Sequence, residues 1–289
     1  MERSELLFES YNMAVEESYN KIFMSNKSHE LLNIEDESIR QQLQKDLEKW
    51  AQTPNSSIGG ISPREYFDSV TELEQLIELF KMAAVLCDND IPDPLLDKLH
   101  TYNDDAVNSL LNLASDDKYL YDDDEQIISL MAIRTIGKWK ALSALEALIK
   151  LMFEVSEDNE IIIEEILNSL IEIGQSAASR IMEILNESSN IGNLEEYLLD
   201  TLVKIGVKVK ERSLYDLIYR TIKNTFIKME NKLFGAICLG NFGDGRAIPV
   251  LRGYIEKNRN TIDYETFLEI KSSIYRLGGN IDDIDVHFV

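Results

Sequence analysis

Apolar residues along this chain recur at intervals of three and four, and strict alternation is almost absent. That period predicts α-helices throughout and no sheet. Leu6–Met24 and Glu37–Trp50 read as two helices. They are followed by "TPNSSIGGISPREYF", the longest polar, glycine-rich break in the chain. Within it, Ser62, Pro63 and Glu65 have the order of a helix start: a capping hydroxyl, a proline that needs no N–H partner, then an acid. Glu72–Cys87 reads as a further helix, "DNDIPDP" as a second break, and Leu95–Leu113 as a helix pair.

Downstream, a unit repeats. "MAIRTIG" ends at Gly137, "NSLIEIG" at Gly174, "DTLVKIG" at Gly206, "GAICLG" at Gly240 and "SIYRLG" at Gly278, at spacings of 37, 32, 34 and 38. Ile136, Ile173, Ile205, Leu239 and Leu277 directly precede these glycines. Four residues before them stand Ile133, Leu170, Leu202, Ala236 and Ile274, and one residue earlier a small side chain: Ala132, Ser169, Thr201, Gly235 or Ser273. Leu148, Leu185, Leu217 and Leu251 stand eleven residues after the first four. The apolar positions before each glycine share one helix face, and those after it share one face of the next helix. Glycine tolerates the left-handed conformation that closes a helix. Each unit is therefore expected to be an antiparallel helix pair whose first helix ends at its glycine, with a small residue where a neighbouring helix comes close. In "CLGNFGDGRAIPVL" the glycines reverse the chain and Pro249 falls in the first turn of the next helix.

At these residues the chain resembles the HEAT-like repeat family, including its short phycobilisome-lyase-type variant, over roughly residues 123–279. The Asp and Arg that often form a ladder between such repeats are mostly missing, with Arg134 a lone candidate. The resemblance implies an all-α fold, a right-handed α-solenoid of HEAT-like helix pairs with the glycine-ending helices on the inner, concave layer. The expected organisation is an N-terminal helical region, residues 1–90, and a repeat solenoid, residues 91–289. The family name does not carry lyase chemistry with it, because unrelated functions share such repeats.

The 44% apolar and 28% charged content is that of a soluble globular protein. No apolar run is long enough to span a membrane. The amino terminus has early acids and no apolar signal core, which leads us to expect an intracellular, cytoplasmic protein. Cys87 and Cys238, the only cysteines, are far apart, as in a reducing compartment. His29, His100 and His287 form no local metal motif with them. The net charge of −23 opposes nucleic acid and anionic lipid. It is uneven: between Thr201 and Asn260 there are 12 Lys or Arg against 5 Asp or Glu. The basic residues Lys208, Lys210, Arg212, Lys223, Arg246, Arg252, Lys257 and Arg259 fall mostly on second helices of the pairs or on turns, away from any inner groove.

Candidate chemistry is sparse. Asp122–Glu125, "DDDE", reads as a helix cap and solvated turn rather than a cation site. Asp88 and Asp90 fit the first and third positions of a calcium loop, but Asp93 stands where glycine is needed and Leu99 where a glutamate is needed. "GNFGDG" follows a helix rather than a strand, so it is a turn and not a phosphate cradle. No cofactor motif, metal set or nucleophile–base pair is read. The stripe opposite the buried one is more informative. Apolar Met131, Ile128, Ile161, Tyr197, Phe234 and Ile227 lie there, among Glu165, Asn168, Glu172 and Asp200. Either this chain's N-terminal helices cover them or they form an acid-rimmed groove for a partner. The function expected is a non-catalytic protein–protein interaction scaffold. It would bind a basic or amphipathic protein segment at Met131, Glu165, Asn168, Glu172, Tyr197, Asp200 and Phe234. A HEAT-like enzyme, bilin-lyase-like or DNA-glycosylase-like, is the alternative, and the oligomeric state is left open.

Overall fold

The computed structural model describes residues 3–25, 37–88, 90–122, 124–284 and 286. His29, Asp123 and His287, all named above from the sequence, lie outside the described residues. Among the described residues there are sixteen α-helices and no strand, only an isolated bridge between Asn55 and Ile61. The all-α expectation holds. By compactness the chain divides into two units, Met1–Trp139 and Lys140–Val289. The "DNDIPDP" break near Asp90 lies inside the first.

The first unit holds α1 (Arg3–Ser25), α2 (Glu37–Gln52), α3 (Pro63–Asp68), α4 (Leu73–Leu86), α5 (Asp93–His100), α6 (Asp104–Ala114), α7 (Asp117–Tyr121) and α8 (Gln126–Lys138). The helix start read at Ser62 is a capping box: Ser62 Oγ accepts from the Glu65 N–H at 3.2 Å, and Glu65 accepts from the Ser62 N–H at 2.8 Å. Helix α1 packs on α2 and α4, α4 on α5 and α8, and α6 on α8. Phe8, Phe67 and Phe80 are fully buried among them, and the rings of Phe8 and Phe67 stack at 6.4 Å. His100, at the end of α5, is exposed, and its ring lies against that of Trp139 at 4.9 Å between centroids.

The second unit holds α9 (Leu145–Glu154), α10 (Glu160–Ile173), α11 (Gln175–Glu187), α12 (Asn193–Gly206), α13 (Arg212–Lys228), α14 (Lys232–Phe242), α15 (Ile248–Lys257) and α16 (Tyr264–Arg276). Helices α10, α12, α14 and α16 pack side by side in that order, and α11 packs on α13. Each of α10 to α13 also packs on its successor, as α15 does on α16. The repeat register places the core. Ile133, Leu170, Leu202, Ala236 and Ile274 are each 0% exposed, and the small residues beside them are buried too. At one of them, Ser273, the hydroxyl is satisfied across the helix contact: its Oγ donates to the carbonyl of Ala236 at 3.0 Å. In the first unit the buried Ser129, three residues before Ala132, likewise donates its Oγ hydrogen to the carbonyl of Ala114 at 2.9 Å.

Gly206 is the last residue of α12, as expected, but Gly137 and Gly240 lie inside their helices: α8 runs on to Lys138 and α14 to Phe242, and all three glycines are buried. At Gly206 an added Cβ would lie 2.7 Å from Phe242 Cε2 and 2.9 Å from Ile218 Cγ2; at Gly240 it would lie 2.6 Å from Ser273 Oγ. Those two glycines allow close helix packing. Positive φ follows the helix end at Gly174 (78°) and at Gly278 (85°), as expected, and after α14 at Gly243 (79°), three residues later than the pattern suggests. Pro249 sits in the first turn of α15, as expected.

Leu217 is a second correction. The register places it in the core, yet it is 50% exposed, and Ile218, Ile222 and Phe226 are buried instead. The connection from Gly206 to α13, "VKVKE", turns the helix so that its neighbour Ile218 takes the buried place.

Candidate functional site

The stripe opposite the core is not uniformly open. In α8, Ile128, Met131 and Thr135 are all buried, and in α14 so is Cys238. Both helices are apolar nearly all round, and such helices bury more than one face. Met131, proposed from its register as a groove residue, is therefore closed off in the first unit, and its Sδ lies 3.9 Å from Arg134 Nη1. Arg134, the lone candidate for a ladder cation, makes this local contact.

In the second unit the stripe is open where α10 and α12 run side by side. They enclose a cleft of about 260 Å³. Ile163, Leu167 and the ring of Tyr197 form its apolar walls, and Glu160, Glu164, Asn168, Asp200 and Lys204 its polar ones. Glu160 and Glu164 are one turn apart on α10, so both carboxylates rise on the same face. They are exposed and have no partner among the described residues. Tyr197 is 40% exposed. Asp200 is half-buried and its carboxylate holds Lys204 Nζ at 2.8 Å, one turn along α12.

Of the residues named from sequence, Asn168, Tyr197 and Asp200 meet in this cleft. Glu165 lies on α10 but is half-buried and does not line it; Glu172 is exposed at the far end of α10. Phe234 lies half-buried in the first turn of α14, where its N–H donates to Asn231 Oδ1 at 3.2 Å. Lys204 shares the stripe register of Tyr197 and Asp200 on α12, but Glu160 and Glu164 were missed. They flank the stripe instead of lying on it, and the signal for them was present: "NEIIIEE" places two acids one turn apart beside the core isoleucines.

The field around the cleft is acidic. Burial raises the pKa of Glu196 above the usual carboxylate range, although Asn231 Nδ2 donates to it at 3.0 Å. Burial also pushes the Cys238 thiol well up, with the charges of Asp200 and Glu196 adding to it, so this sulfur stays protonated and unreactive. Cys87 behaves likewise, pushed up to about 12 by burial beside Asp88 and Asp90.

The basic segment is a different matter. Lys228 Nζ donates to the carbonyls of Leu185 and, at 2.8 Å, Ser188, closing the end of α11. Lys232 Nζ donates to the carbonyls of Phe226 and Ile227, at 2.7 and 2.9 Å, closing the end of α13. Arg246 is clamped by Asp244 at 2.6 Å and Asp216 at 2.8 Å and lies over the ring of Tyr219. Arg252 holds Asp283 at 2.6 Å. As expected from the sequence, the basic residues sit on α13, α15 and the neighbouring turns. At "DDDE", Asp122 Oδ1 accepts from the N–H groups of Asp124 and Glu125, so this acid makes a turn.

Among the described residues, no helix is long and apolar enough to cross a membrane, and no group of three or more His, Cys, Asp or Glu is placed to hold a metal ion. Comparison with known proteins finds no family model, no curated protein and no solved structure that matches the chain.

Proposed function

We propose that this chain is a non-catalytic interaction scaffold: a right-handed HEAT-like solenoid that binds a basic or amphipathic segment of another protein along its α10–α12 face. The observation that carries this reading is the convergence of Glu160, Glu164, Asp200 and Tyr197 on one open cleft with apolar walls. The periodic core and the ordered packing of α10, α12, α14 and α16 support the repeat architecture. The free thiols of Cys87 and Cys238 suit a reducing compartment such as the cytoplasm.

The mechanism follows from the charges. The exposed carboxylates of Glu160 and Glu164 draw a cationic segment in from solution, an effect that weakens with salt. Apolar side chains of the segment then cover Ile163, Leu167 and Tyr197, and water leaves the cleft. The test is a titration of a fluorescein-labelled amphipathic Leu/Lys peptide against the full chain and against Glu164→Lys/Asp200→Lys. The expected result is saturable, salt-sensitive binding to the native chain, with association slowed in the variant. Equal rates and affinities for the two proteins would sink the proposal.

A further inference from the structure

We infer that the α10–α12 cleft is a pocket for the side chain of a single arginine of the partner, and that Lys204 holds its carboxylate in the partner's absence. This inference rests on the reading of the cleft as the partner site, and it names the group that the cleft recognises.

Two features of the cleft point to arginine. Its walls are apolar on both sides, Ile163 and Leu167 from α10 and the Tyr197 ring from α12, which suits a long aliphatic stem. Its polar groups are carboxylates from both helices, Glu160 and Glu164 facing Asp200, so a head group seated between them meets acceptors on two sides. A planar guanidinium has five donors and can bridge such acceptors while its face lies on an aromatic ring; an ammonium is a compact, more strongly hydrated charge. Elsewhere in this unit the same pairing is already made, where the Arg246 guanidinium lies 4.3 Å from the Tyr219 ring centroid and holds Asp244 and Asp216. The cleft offers the aromatic ring and the two-sided carboxylates of that arrangement without its arginine.

Lys204 is the internal competitor. Its Nζ holds Asp200 at 2.8 Å, but its side chain is more than half exposed, and a neighbour one turn away on the same helix gives only a weak, exposed pair. An arriving guanidinium therefore displaces the ammonium from Asp200 at small cost. Removing Lys204 should open the site.

The experiment compares two labelled amphipathic peptides of equal length and charge, Leu/Arg and Leu/Lys, by fluorescence anisotropy against the full chain at fixed ionic strength. The Leu/Arg peptide is expected to bind at least about fivefold more tightly, the size of one cation–aromatic contact. Tyr197→Phe should keep that preference and Tyr197→Leu should abolish it. Lys204→Gln should tighten the Leu/Arg peptide more than Lys208→Gln, which makes the same charge change outside the cleft. Equal affinities for the two peptides, or equal effects of the two lysine variants, would overturn the arginine pocket while leaving the docking surface standing. Binding of neither peptide would overturn both.

Discussion

The second unit carries opposite charge in two places and treats it in opposite ways. Around α10 and α12 the carboxylates of Glu160 and Glu164 are exposed and have no partner among the described residues. Between Thr201 and Asn260 the excess of cations is largely engaged within the molecule: Lys228 and Lys232 on the last carbonyls of α11 and α13, Arg246 and Arg252 on aspartates. A count of charges along the sequence gives both segments the same kind of significance. Their hydrogen bonds do not. A lysine that closes a helix end contributes to stability and is not free to meet a ligand, whereas an unpaired acid beside an apolar cleft is. The difference teaches that charge becomes a binding surface only where the fold leaves it without internal work.

This comparison can be broken or sharpened by substitution. The largest effect tests the register on which it depends. Leu202→Ala should cost about 2–5 kcal/mol, as at other fully buried leucines, and Leu217→Ala less than about 0.5 kcal/mol, both read from urea midpoints. Equal midpoints for the two variants would show the register to be misplaced. Next comes the closing of the basic segment. Asp244→Asn should cost about 1–3 kcal/mol because it weakens the clamp on Arg246.

That cost has a definite pH dependence. The Arg246 guanidinium hydrogen-bonded to Asp244 holds its carboxyl below the ordinary range. Its stabilisation is whole above about pH 4 and is lost as pH falls through the depressed folded value. Asp244→Asn should therefore flatten the acid limb of a stability–pH curve. Glu196 has the opposite sign: burial raises its pKa, so its charge is a penalty, absent at low pH and fully present above its folded value. Glu196→Gln should leave stability at pH 7 unchanged or slightly higher. Loss of stability there would mean that the acidic side is as internally engaged as the basic one. Smallest of all should be the stability change in Glu160→Gln/Glu164→Gln, within about 0.5 kcal/mol, together with a clear loss of affinity for a basic peptide.

Much of the fold was legible because helices write themselves in periods. The buried positions four residues before Gly137, Gly174, Gly206, Gly240 and Gly278 follow from a stripe at helical spacing, and the Ser62 capping box follows from local hydrogen-bond chemistry. What escaped were matters of rotation and approach. A lengthened connection after Gly206 turned α13 by one residue and exposed Leu217. The choice between a glycine that turns the chain and one that lets helices touch depends on which atoms stand opposite, Phe242 for Gly206 and Ser273 for Gly240. The site was half legible. Asn168, Tyr197 and Asp200 share a face that a helical projection can find, but Glu160 and Glu164 join them only because α10 packs on α12. Met131 was misread because apolarity all round α8 signals burial of both faces.

The most direct measurement is amide hydrogen exchange on the full chain with and without a saturating amphipathic Leu/Arg peptide. Slowed exchange confined to Glu160–Asn168 and Tyr197–Lys204, the parts of α10 and α12 that form the cleft, is the result predicted here. Protection that falls instead on α13 and α15, or that spreads evenly over the acidic surface, would contradict the claim that this cleft is where the protein meets its partner.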